Sequence, residues 1–367
     1  MKKVLLVTIF QGIFLICLLA QQDSFKLKGW TNNLPDATKI HLVDFEQGSI
    51  IDSTIIVDNQ FSFTGATHPY KQIGLLLRVA EQTKFAKVYV ENSNILFDAR
   101  QTDFENAKVD GSILQTQADE LTNLTYPFDK KWGELNEAIG QLAPTEKEKI
   151  TQLDKEMRHF QRKSWEITQQ FIANHPDYFI SVQSLSWLKA YLPRTTTVKL
   201  YEALSPELKA TKDGQFLKNW LANALDLTIG DQAPDFQAPN LAGKSIALSD
   251  FKGKYVLIEF GLTGCLGSRQ DNPILLKAYQ QYQEAGFEIL SVWLDTQKEP
   301  WAKTVETDNM IWTSINDLQG ARGPIPTMYN VTYYPTSYLI NQDGIIIAKD
   351  LREEALEERL AELFNGQ

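Results

Sequence analysis

The sequence contains few of the residues that form disulfides and metal centres. It has 2 cysteines and 4 histidines in 367 residues, and no His/Cys spacing matches a metal site. We therefore predict neither a metal nor a cofactor. All of the histidines precede residue 229, so a Cys–His nucleophilic pair in the last part of the chain is excluded. The histidines are His41, His68, His159 and His175.

An excess of positive charge is also absent. Lysine and arginine total 36 against 46 aspartate and glutamate residues, which gives a formal net charge of -10. Binding to nucleic acid requires clustered Lys and Arg side chains that neutralise phosphates, and the chain has no basic stripe. We therefore exclude nucleic acid as a main partner.

Long hydrophobic runs are absent after the first twenty residues. Residues 4–20 are apolar, follow Lys2 and Lys3, and precede the polar residues 21–23. This order is typical of a secretory signal peptide, and we predict one over residues 1–20 with cleavage near Ala20. Because no later stretch is long enough to cross a bilayer, we expect a periplasmic or otherwise exported protein without a transmembrane segment.

Two other interpretations of the N-terminus involve attachment to the membrane. Gln11 and Gly12 disfavour an uncleaved anchor, since they interrupt a run that is already short for spanning a bilayer. A lipoprotein signal would acylate Cys17, but Leu15 and Ile16 stand where such signals have small residues. A lipid anchor through Cys17 therefore ranks behind cleavage.

Cleavage near Ala20 leaves Cys265 as the only cysteine of the mature chain. An exported protein with a single cysteine has no internal disulfide. Its thiol is either buried and inert, or reactive toward a group outside the chain.

The composition changes twice after the predicted signal peptide. Short alternating runs with Asn, Asp and Gly turns over residues 21–111 predict an antiparallel β domain, a sandwich or a half-barrel. Residues 112–226 are rich in Glu, Lys, Gln, Leu and Ala. Apolar residues recur there at helical spacing, for example over residues 147–174, so we predict a helical region.

The last part of the chain, residues 229–367, predicts an α/β domain. A β-α-β pattern is followed by a β-β-α pattern, which fits a mixed sheet with helices on both faces. The first long helix of this domain is predicted over Asn272–Ala285. The acidic run Glu353–Glu358, beside Arg352 and Arg359, is typical of a solvated helix face.

A short loop in this domain carries the thiol. The apolar run Tyr255–Phe260 ends in a Gly/Thr loop that leads to Cys265, and an amphipathic pattern follows. A thiol at a helix N-terminus becomes a better nucleophile, because the helix dipole and free N–H groups favour the thiolate. The loop has the length of a Cys-x-x-Cys redox motif, but Ser268 stands at the second position.

Residues 229–367 resemble the TlpA/ResA type of thioredoxin-fold family. The resemblance rests on four motifs in the same order, Ile229–Phe236, Leu248–Phe260, Tyr334–Thr336 and Gln342–Gly344. Residues 24–110 resemble the β-rich domain of unknown function that often precedes such domains in exported proteins. The resemblance implies a thioredoxin-like fold and thiol–disulfide chemistry on a thiol- or disulfide-bearing protein partner.

The resemblance also implies catalytic roles for single residues. Cys265 matches the attacking cysteine of the family motif Trp-Cys-Gly-Pro-Cys, and Ser268 replaces the resolving cysteine. Gly264 replaces the tryptophan, and Leu266-Gly267 replaces the Gly-Pro pair. Glu259 lies where the family has a buried acid that assists proton transfer. The alternative for Glu259 is an acid at a strand edge that faces solvent.

The segment Tyr334, Pro335 and Thr336 is the candidate substrate-binding segment. It lies where the family keeps a cis-proline, which borders the attacking thiol. The backbone of the residue before that proline pairs with a bound peptide in the family. The alternative for Pro335 is an ordinary trans proline in a turn.

Ser268 cannot resolve a mixed disulfide, because an alcohol is a very poor nucleophile toward sulfur at neutral pH. We therefore predict an exported thioredoxin-like protein in which Cys265 alone exchanges with, or captures, a periplasmic partner. The alternative is a redox-inactive thioredoxin-fold module that recognises a protein or peptide. The sequence predicts no oligomeric state.

Overall fold

The computed structural model of the chain describes residues 24–32, 34–44, 49–66, 71–79, 82–143 and 145–365. The predicted signal peptide, with Cys17, lies outside the described residues. The chain divides into two compact units, Met1–Ser181 and Val182–Gln367. The domain limits predicted from composition stay predictions.

Strands form most of the first unit. They are β1 Phe25–Trp30, β2 Lys39–Asp44, β3 Ser49–Ile55, β4 Gln60–Gly65, β5 Lys71–Val79, β6 Gln82–Val90, β7 Asn94–Asp98 and β8 Lys108–Asp110. One sheet has the order β4-β1-β7-β8 and the other the order β3-β2-β5-β6. Neighbouring strands are antiparallel, except that β1 and β7 are parallel.

Alternating side chains of the two sheets fill one shared core. Leu27 and Phe97 contribute from the first sheet, and Ile40 and Val88 contribute from the second. Strands β1, β4 and β7 alternate between buried and exposed side chains, as the alternating runs predict. The β-rich domain expected from the sequence is therefore present as a two-sheet sandwich.

Two long helices follow the sandwich, α1 Ile113–Gly140 and α2 Lys147–Asn174, and they pack against each other. Helix α1 begins at a true cap, since the Ser112 hydroxyl accepts a hydrogen bond from the Gln115 N–H at 3.0 Å. Its buried and half-buried side chains Leu114, Leu121, Phe128 and Leu135 recur at heptad spacing. This spacing keeps one seam of α1 against its neighbour, as in a coiled coil. Helix α3 Phe179–Leu188 contains the limit between the two units.

The second unit begins with three helices and continues as an α/β domain. Its helices are α4 Arg194–Ala203, α5 Pro206–Ala210, α6 Lys212–Asn223, α7 Leu266–Tyr282, α8 Lys298–Thr307, α9 Pro324–Met328 and α10 Glu353–Asn365. Its strands are β9 Gln237–Pro239, β10 Ser245–Ala247, β11 Tyr255–Gly261, β12 Phe287–Trp293, β13 Thr313–Ile315, β14 Thr336–Ile340 and β15 Ile346–Lys349. Among the described residues, no helix is both long and apolar enough to span a membrane.

A mixed five-stranded sheet forms the centre of this unit, in the order β13-β12-β11-β14-β15. Strand β12 is parallel to β11 and β13, whereas β14 is antiparallel to β11 and β15. This is the thioredoxin-like fold that the resemblance implies.

The central strand β11 has a core on each face. Val256, Ile258 and Phe260 belong to one core, and Leu257 belongs to the other together with side chains of α7 and α10. Because side chains alternate along a strand, Glu259 points to the same face as Leu257. The strand therefore carries a carboxyl group into the layer between the sheet and the helices.

Helix α7 begins at Leu266, six residues before the predicted start at Asn272. Asn272-Pro273 resembles the cap and first residue of a helix, which is why the sequence suggests a start there. In the structure the helix continues through Pro273, and the Asn272 amide donates to the Asp308 carboxylate at 2.7 Å instead of capping a helix. The earlier start brings Cys265 to the N-cap position.

Candidate functional site

Cys265 occupies the N-cap position of α7 and is partly exposed. Its N–H donates to the Leu262 carbonyl at 3.0 Å, which closes the loop after β11. Its thiol lies 3.7 Å from the Tyr334 carbonyl oxygen, a weak S–H···O contact. The structure thus places the thiol at a helix N-terminus and beside the predicted substrate-binding segment.

Pro335 lies against the loop that carries the thiol. The Tyr334–Pro335 peptide bond is cis, as expected from the resemblance. A Cβ atom built on Gly267 would lie 3.1 Å from Pro335 Cδ and 3.9 Å from Cys265 Sγ. Gly267 therefore allows the proline ring and the thiol to approach the same point of the helix.

The other two residues of the segment are held by packing and by one hydrogen bond. Thr336 is buried, and its hydroxyl donates to the Tyr333 carbonyl at 2.7 Å. Burial raises the pKa of Tyr334 to about 12, so its phenol stays neutral at physiological pH. The segment presents no charged side chain to the thiol.

Ser268 lies one helical turn after Cys265 and is completely buried. Its hydroxyl oxygen accepts a hydrogen bond from the Leu262 N–H at 3.4 Å, so it contacts the same loop as Cys265. The second position of the motif is therefore retained in space, with an oxygen where the resemblance expects a sulfur.

Glu259 is buried, with 1% of its surface exposed, so the alternative of a solvent-facing acid is wrong. Ser291 donates its hydroxyl hydrogen to Glu259 Oε2 at 3.2 Å. The Trp312 indole donates in turn to the Ser291 hydroxyl at 2.8 Å. Within the described part of the chain, Glu259 Oε1 has no hydrogen-bond partner.

Burial raises the pKa of Glu259 to about 7. The positive charge of Arg352 and the hydrogen bond from Ser291 oppose this rise, while the negative charge of Asp271 adds to it. A carboxyl group with this pKa exchanges its proton near neutral pH, as a general acid or base must do.

Gly261 connects Glu259 to the thiol loop. A Cβ atom at Gly261 would lie 3.3 Å from Glu259 Oε1 and 3.3 Å from the Ser268 hydroxyl oxygen. Glu259 Oε1 and the Ser268 hydroxyl thus both lie beside Gly261, which has no side chain. The structure brings together Glu259 and Ser268, which lie nine positions apart in the sequence.

Two charged residues of this region were missed by the sequence analysis, Arg352 and Asp271. The Arg352 guanidinium donates to the Asp271 carboxylate and to the Pro335 carbonyl. The Arg352 side chain is only 29% exposed, although it adjoins the segment Glu353–Glu358 that the sequence predicts as a solvated helix face. No local pattern could have found the pair, because its members lie 81 residues apart.

Further ion pairs and hydrogen bonds fix the loop and the helix. The Thr263 hydroxyl donates to the Asp295 carboxylate at 2.6 Å, which ties the loop to the end of β12. Arg269 donates to both carboxylate oxygens of Asp308 at 2.5 Å. Such two-pronged pairs hold geometry as well as charge. These bonds anchor the N-terminal turn of α7 and the loop before it.

The described residues contain no group of three or more His, Cys, Asp or Glu side chains that could hold a metal ion.

The AhpC/TSA family matches residues 229–349, and the family described as domain of unknown function DUF4369 matches residues 25–118. The ResA thiol-disulfide oxidoreductase of Bacillus thuringiensis subsp. konkukian is 33% identical over 136 residues, 37% of this chain and 76% of the relative. The thioredoxin-like protein YneN of Bacillus subtilis is 34% identical over 121 residues, 32% of this chain and 68% of the relative.

Solved structures of thioredoxin domains are also similar. The thioredoxin domain of a thiol-disulfide oxidoreductase from Bacteroides vulgatus is 33% identical, with a TM-score of 0.36, and the match covers 38% of this chain and 100% of that domain. A thiol:disulfide interchange protein from a Bacteroides species is 34% identical, with a TM-score of 0.36, and the match covers 39% of this chain and 93% of that protein.

The fold and the thiol loop define a thioredoxin-like domain of the thiol-disulfide oxidoreductase class. The chain belongs to the thioredoxin-fold family that contains the ResA thiol-disulfide oxidoreductases. The resemblance stated from the sequence is confirmed, including the β-rich domain before the thioredoxin-like domain.

Proposed function

We propose that this protein carries out thiol–disulfide exchange on an exported protein partner with Cys265 as its only reacting thiol. The observation that carries the proposal is the contrast between two positions of one loop. Cys265 is partly exposed at a helix N-terminus, whereas Ser268 is a buried hydroxyl. The site can attack a disulfide, but it lacks a second thiol.

The proposed reaction has a single step within the chain. The Cys265 thiolate attacks one sulfur of the partner's disulfide, the S–S bond of the partner breaks, and the other partner sulfur leaves as a thiolate. The product is a mixed disulfide between Cys265 and the partner. The freed partner thiolate can reverse this step. Net reduction of the partner requires an external thiol, which attacks the partner sulfur of the mixed disulfide, becomes bonded to it and returns Cys265 to the thiolate.

In this proposal the segment Tyr334–Thr336 binds the partner's backbone beside the thiol, as an added strand. Glu259 supplies a proton-exchanging group at the Ser268 end of the site. Its pKa of about 7 supports this role, because such a carboxyl is partly protonated at neutral pH.

The proposal is tested with a synthetic peptide whose single cysteine is disulfide-bonded to a thionitrobenzoate leaving group, so that the thiolate that leaves cannot re-form an internal disulfide of the peptide. The full chain is mixed with the oxidised peptide, and mass spectrometry follows the covalent adduct. We expect an adduct on Cys265 that persists until an external thiol is added. The Cys265→Ala variant should form none, and the Ser268→Ala variant should form it as the wild type does. Absence of an adduct with a folded protein and an intact thiol would refute the exchange chemistry.

A second candidate function is binding of a protein or peptide without redox chemistry. Leu266 is 72% exposed directly after the thiol, and Tyr333 is 51% exposed directly before Tyr334. These apolar side chains offer contact surface that does not depend on sulfur. If binding is the function, Cys265→Ala should bind the reduced peptide as tightly as the wild type, while Leu266→Ser should weaken binding.

We also propose that residues 1–20 direct export and are removed near Ala20. The N-terminal sequence of the mature protein, isolated from a cell fraction outside the cytoplasm, tests this. A start near Gln21 is expected. A start at an acylated Cys17 would show a lipid anchor instead.

A further inference from the structure

Arg352 lies just before α10 and reaches two other parts of the thioredoxin-like domain. One arm of its guanidinium donates to Asp271 of α7, the helix that begins after the thiol. The other arm donates to the carbonyl of Pro335. A planar guanidinium serves two acceptors in fixed directions, which a lysine ammonium does not.

Arg352 also shares a small cleft with the buried acid. Glu259, Asp271, Ser337 and Glu353 line this cleft together with Arg352. Glu259 and Ser337 are direct partners on neighbouring strands β11 and β14. The guanidinium therefore contacts both α7 and the Pro335 carbonyl. It also supplies positive charge to the cleft that contains Glu259.

We propose that Arg352 is a positioning residue, which holds the Pro335 segment against the thiol helix and balances the charge of the buried Glu259. The inference rests on the proposed exchange function of Cys265. It adds to that function a residue that acts through Pro335, Asp271 and Glu259 and does not touch the reacting sulfur.

The positioning part follows from the closeness of Pro335 to the thiol. Only 3.1 Å separates Pro335 Cδ from a Cβ atom built on Gly267, and the Tyr334 carbonyl is 3.7 Å from the thiol sulfur. The Pro335 carbonyl is bonded to Arg352, and Arg352 is bonded to α7 through Asp271. Loss of the guanidinium would remove the link between the Pro335 carbonyl and α7, so the proline could shift relative to the thiol. Small displacements at a reacting group lower reaction rates strongly.

The electrostatic part follows from the groups that face Glu259. Arg352 and Glu353 come from the start of α10, Asp271 comes from α7, and the uncharged Ser291 and Ser337 come from the flanking strands. Arg352 favours the carboxylate form and Asp271 opposes it. Removing the charge of Arg352 should therefore raise the titration midpoint of Glu259, whereas removing the charge of Asp271 should lower it.

The first measurement is the titration of Glu259, followed by carbon NMR of the labelled carboxyl group in the full chain. In Arg352→Met we expect its midpoint to rise by about one pH unit, because the positive charge of Arg352 favours the ionised carboxyl group. In Asp271→Asn we expect the midpoint to fall. Arg352→Lys should stay near the wild-type midpoint. A shift of equal sign in Arg352→Met and Asp271→Asn, or no shift in either, overturns the charge balance.

The second measurement is the rate of adduct formation with the disulfide peptide. Arg352→Lys keeps the charge but loses the two-armed geometry, so we expect both Arg352 variants to react about tenfold more slowly. Arg359→Met is the matched control, since Arg359 lies in α10, the helix that follows Arg352, and forms an exposed pair with Glu362. An unchanged rate in both Arg352 variants overturns the positioning role. If the wild type forms no adduct, the exchange function fails, while the NMR titration still decides the charge balance.

Discussion

Ser268 occupies the position of the resolving cysteine of the family motif, but its hydroxyl cannot carry out the chemistry of that cysteine. The hydroxyl is buried and is 3.4 Å from the Leu262 nitrogen, a long contact for oxygen and an ordinary one for sulfur. A cysteine at this position therefore fits with little rearrangement. It would lie one helical turn from Cys265, where it could attack a mixed disulfide.

We predict that Ser268→Cys converts capture into release. The adduct between Cys265 and the disulfide peptide should decay without external thiol, because the new thiol forms an internal disulfide and expels the reduced peptide. Mass spectrometry over time measures the free peptide and the oxidised protein. Ser268→Ala is the control and should keep the adduct. A persistent adduct in Ser268→Cys would show that the buried position cannot reach the Cys265 sulfur.

Glu259 gives the folded state a characteristic dependence on pH. Burial raises the pKa of Glu259 from 4.5 to about 7, so the unfolded chain releases this proton at lower pH than the folded chain. The folded state binds more protons in this interval, and its stability therefore falls as pH rises from about 4.5 to about 7. Each unit of pKa difference corresponds to about 1.4 kcal/mol, so the loss is about 3 kcal/mol.

The prediction is that Glu259→Gln removes this loss. Urea unfolding at about pH 5 and about pH 8 should give nearly equal free energies for the variant after correction for other groups, while the wild type is weaker at the higher pH. Glu284→Gln, which changes an exposed acid of the same unit, should keep the wild-type dependence. An identical pH dependence in Glu259→Gln and the wild type would contradict the buried-acid assignment.

The sequence identifies single residues well where a local motif exists. Cys265, Ser268 and Pro335 are assigned through the resemblance of their motifs to those of the family, and their roles stay predictions. The burial of Glu259 depends on side chains from several other elements, so no local pattern could establish it. In the sequence Arg352 stands out only as a neighbour of the segment Glu353–Glu358, whereas its partners in the structure are Asp271 and a backbone carbonyl.

At the scale of elements, the helix pair α1–α2 depends on a narrow seam. Leu135 of α1 is buried, with 6% of its surface exposed, whereas Leu124 on the same helix is 49% exposed. Two helices that pack mainly on each other have few other contacts to share the loss of a seam residue.

We predict that Leu135→Ala destabilises the first unit by about 3 kcal/mol, because it removes buried methylene groups and leaves a cavity. Leu124→Ala is the matched control on the same helix and should change stability by less than about 0.5 kcal/mol. Urea unfolding followed by circular dichroism measures both. Equal effects of the two substitutions would mean that the seam does not stabilise the pair.

The periodicity of apolar residues is sufficient to predict some helices and strands but not others. The alternating pattern of β1 and the helical spacing of α2 are visible in the sequence and present in the structure. Strand β5, Lys71–Val79, does not show this alternation in its sequence, because Leu75, Leu76 and Leu77 follow one another.

At the scale of the whole molecule, the chain contains separate hydrophobic cores. The core of the sandwich lies within the first unit, and the cores on both faces of the mixed sheet lie within the second. Units with their own cores can unfold as separate cooperative steps.

We therefore predict more than one transition in differential scanning calorimetry of the full chain. Leu135→Ala should lower the temperature of one transition only, and Glu259→Gln at about pH 8 should raise another one only. A single transition that moves with both substitutions would show that the units unfold together.

The hydrogen bonds around Glu259 also determine which of its oxygens carries the exchangeable proton. The Trp312 indole can only donate, so the Ser291 hydroxyl accepts from it and must direct its own hydrogen to Glu259 Oε2. Oε2 is therefore an acceptor in both charge states. When the carboxyl group is neutral, its hydrogen resides on Oε1, the oxygen beside Gly261 and the Ser268 hydroxyl. The acid thus has a defined orientation, with its removable hydrogen on the side of the thiol loop.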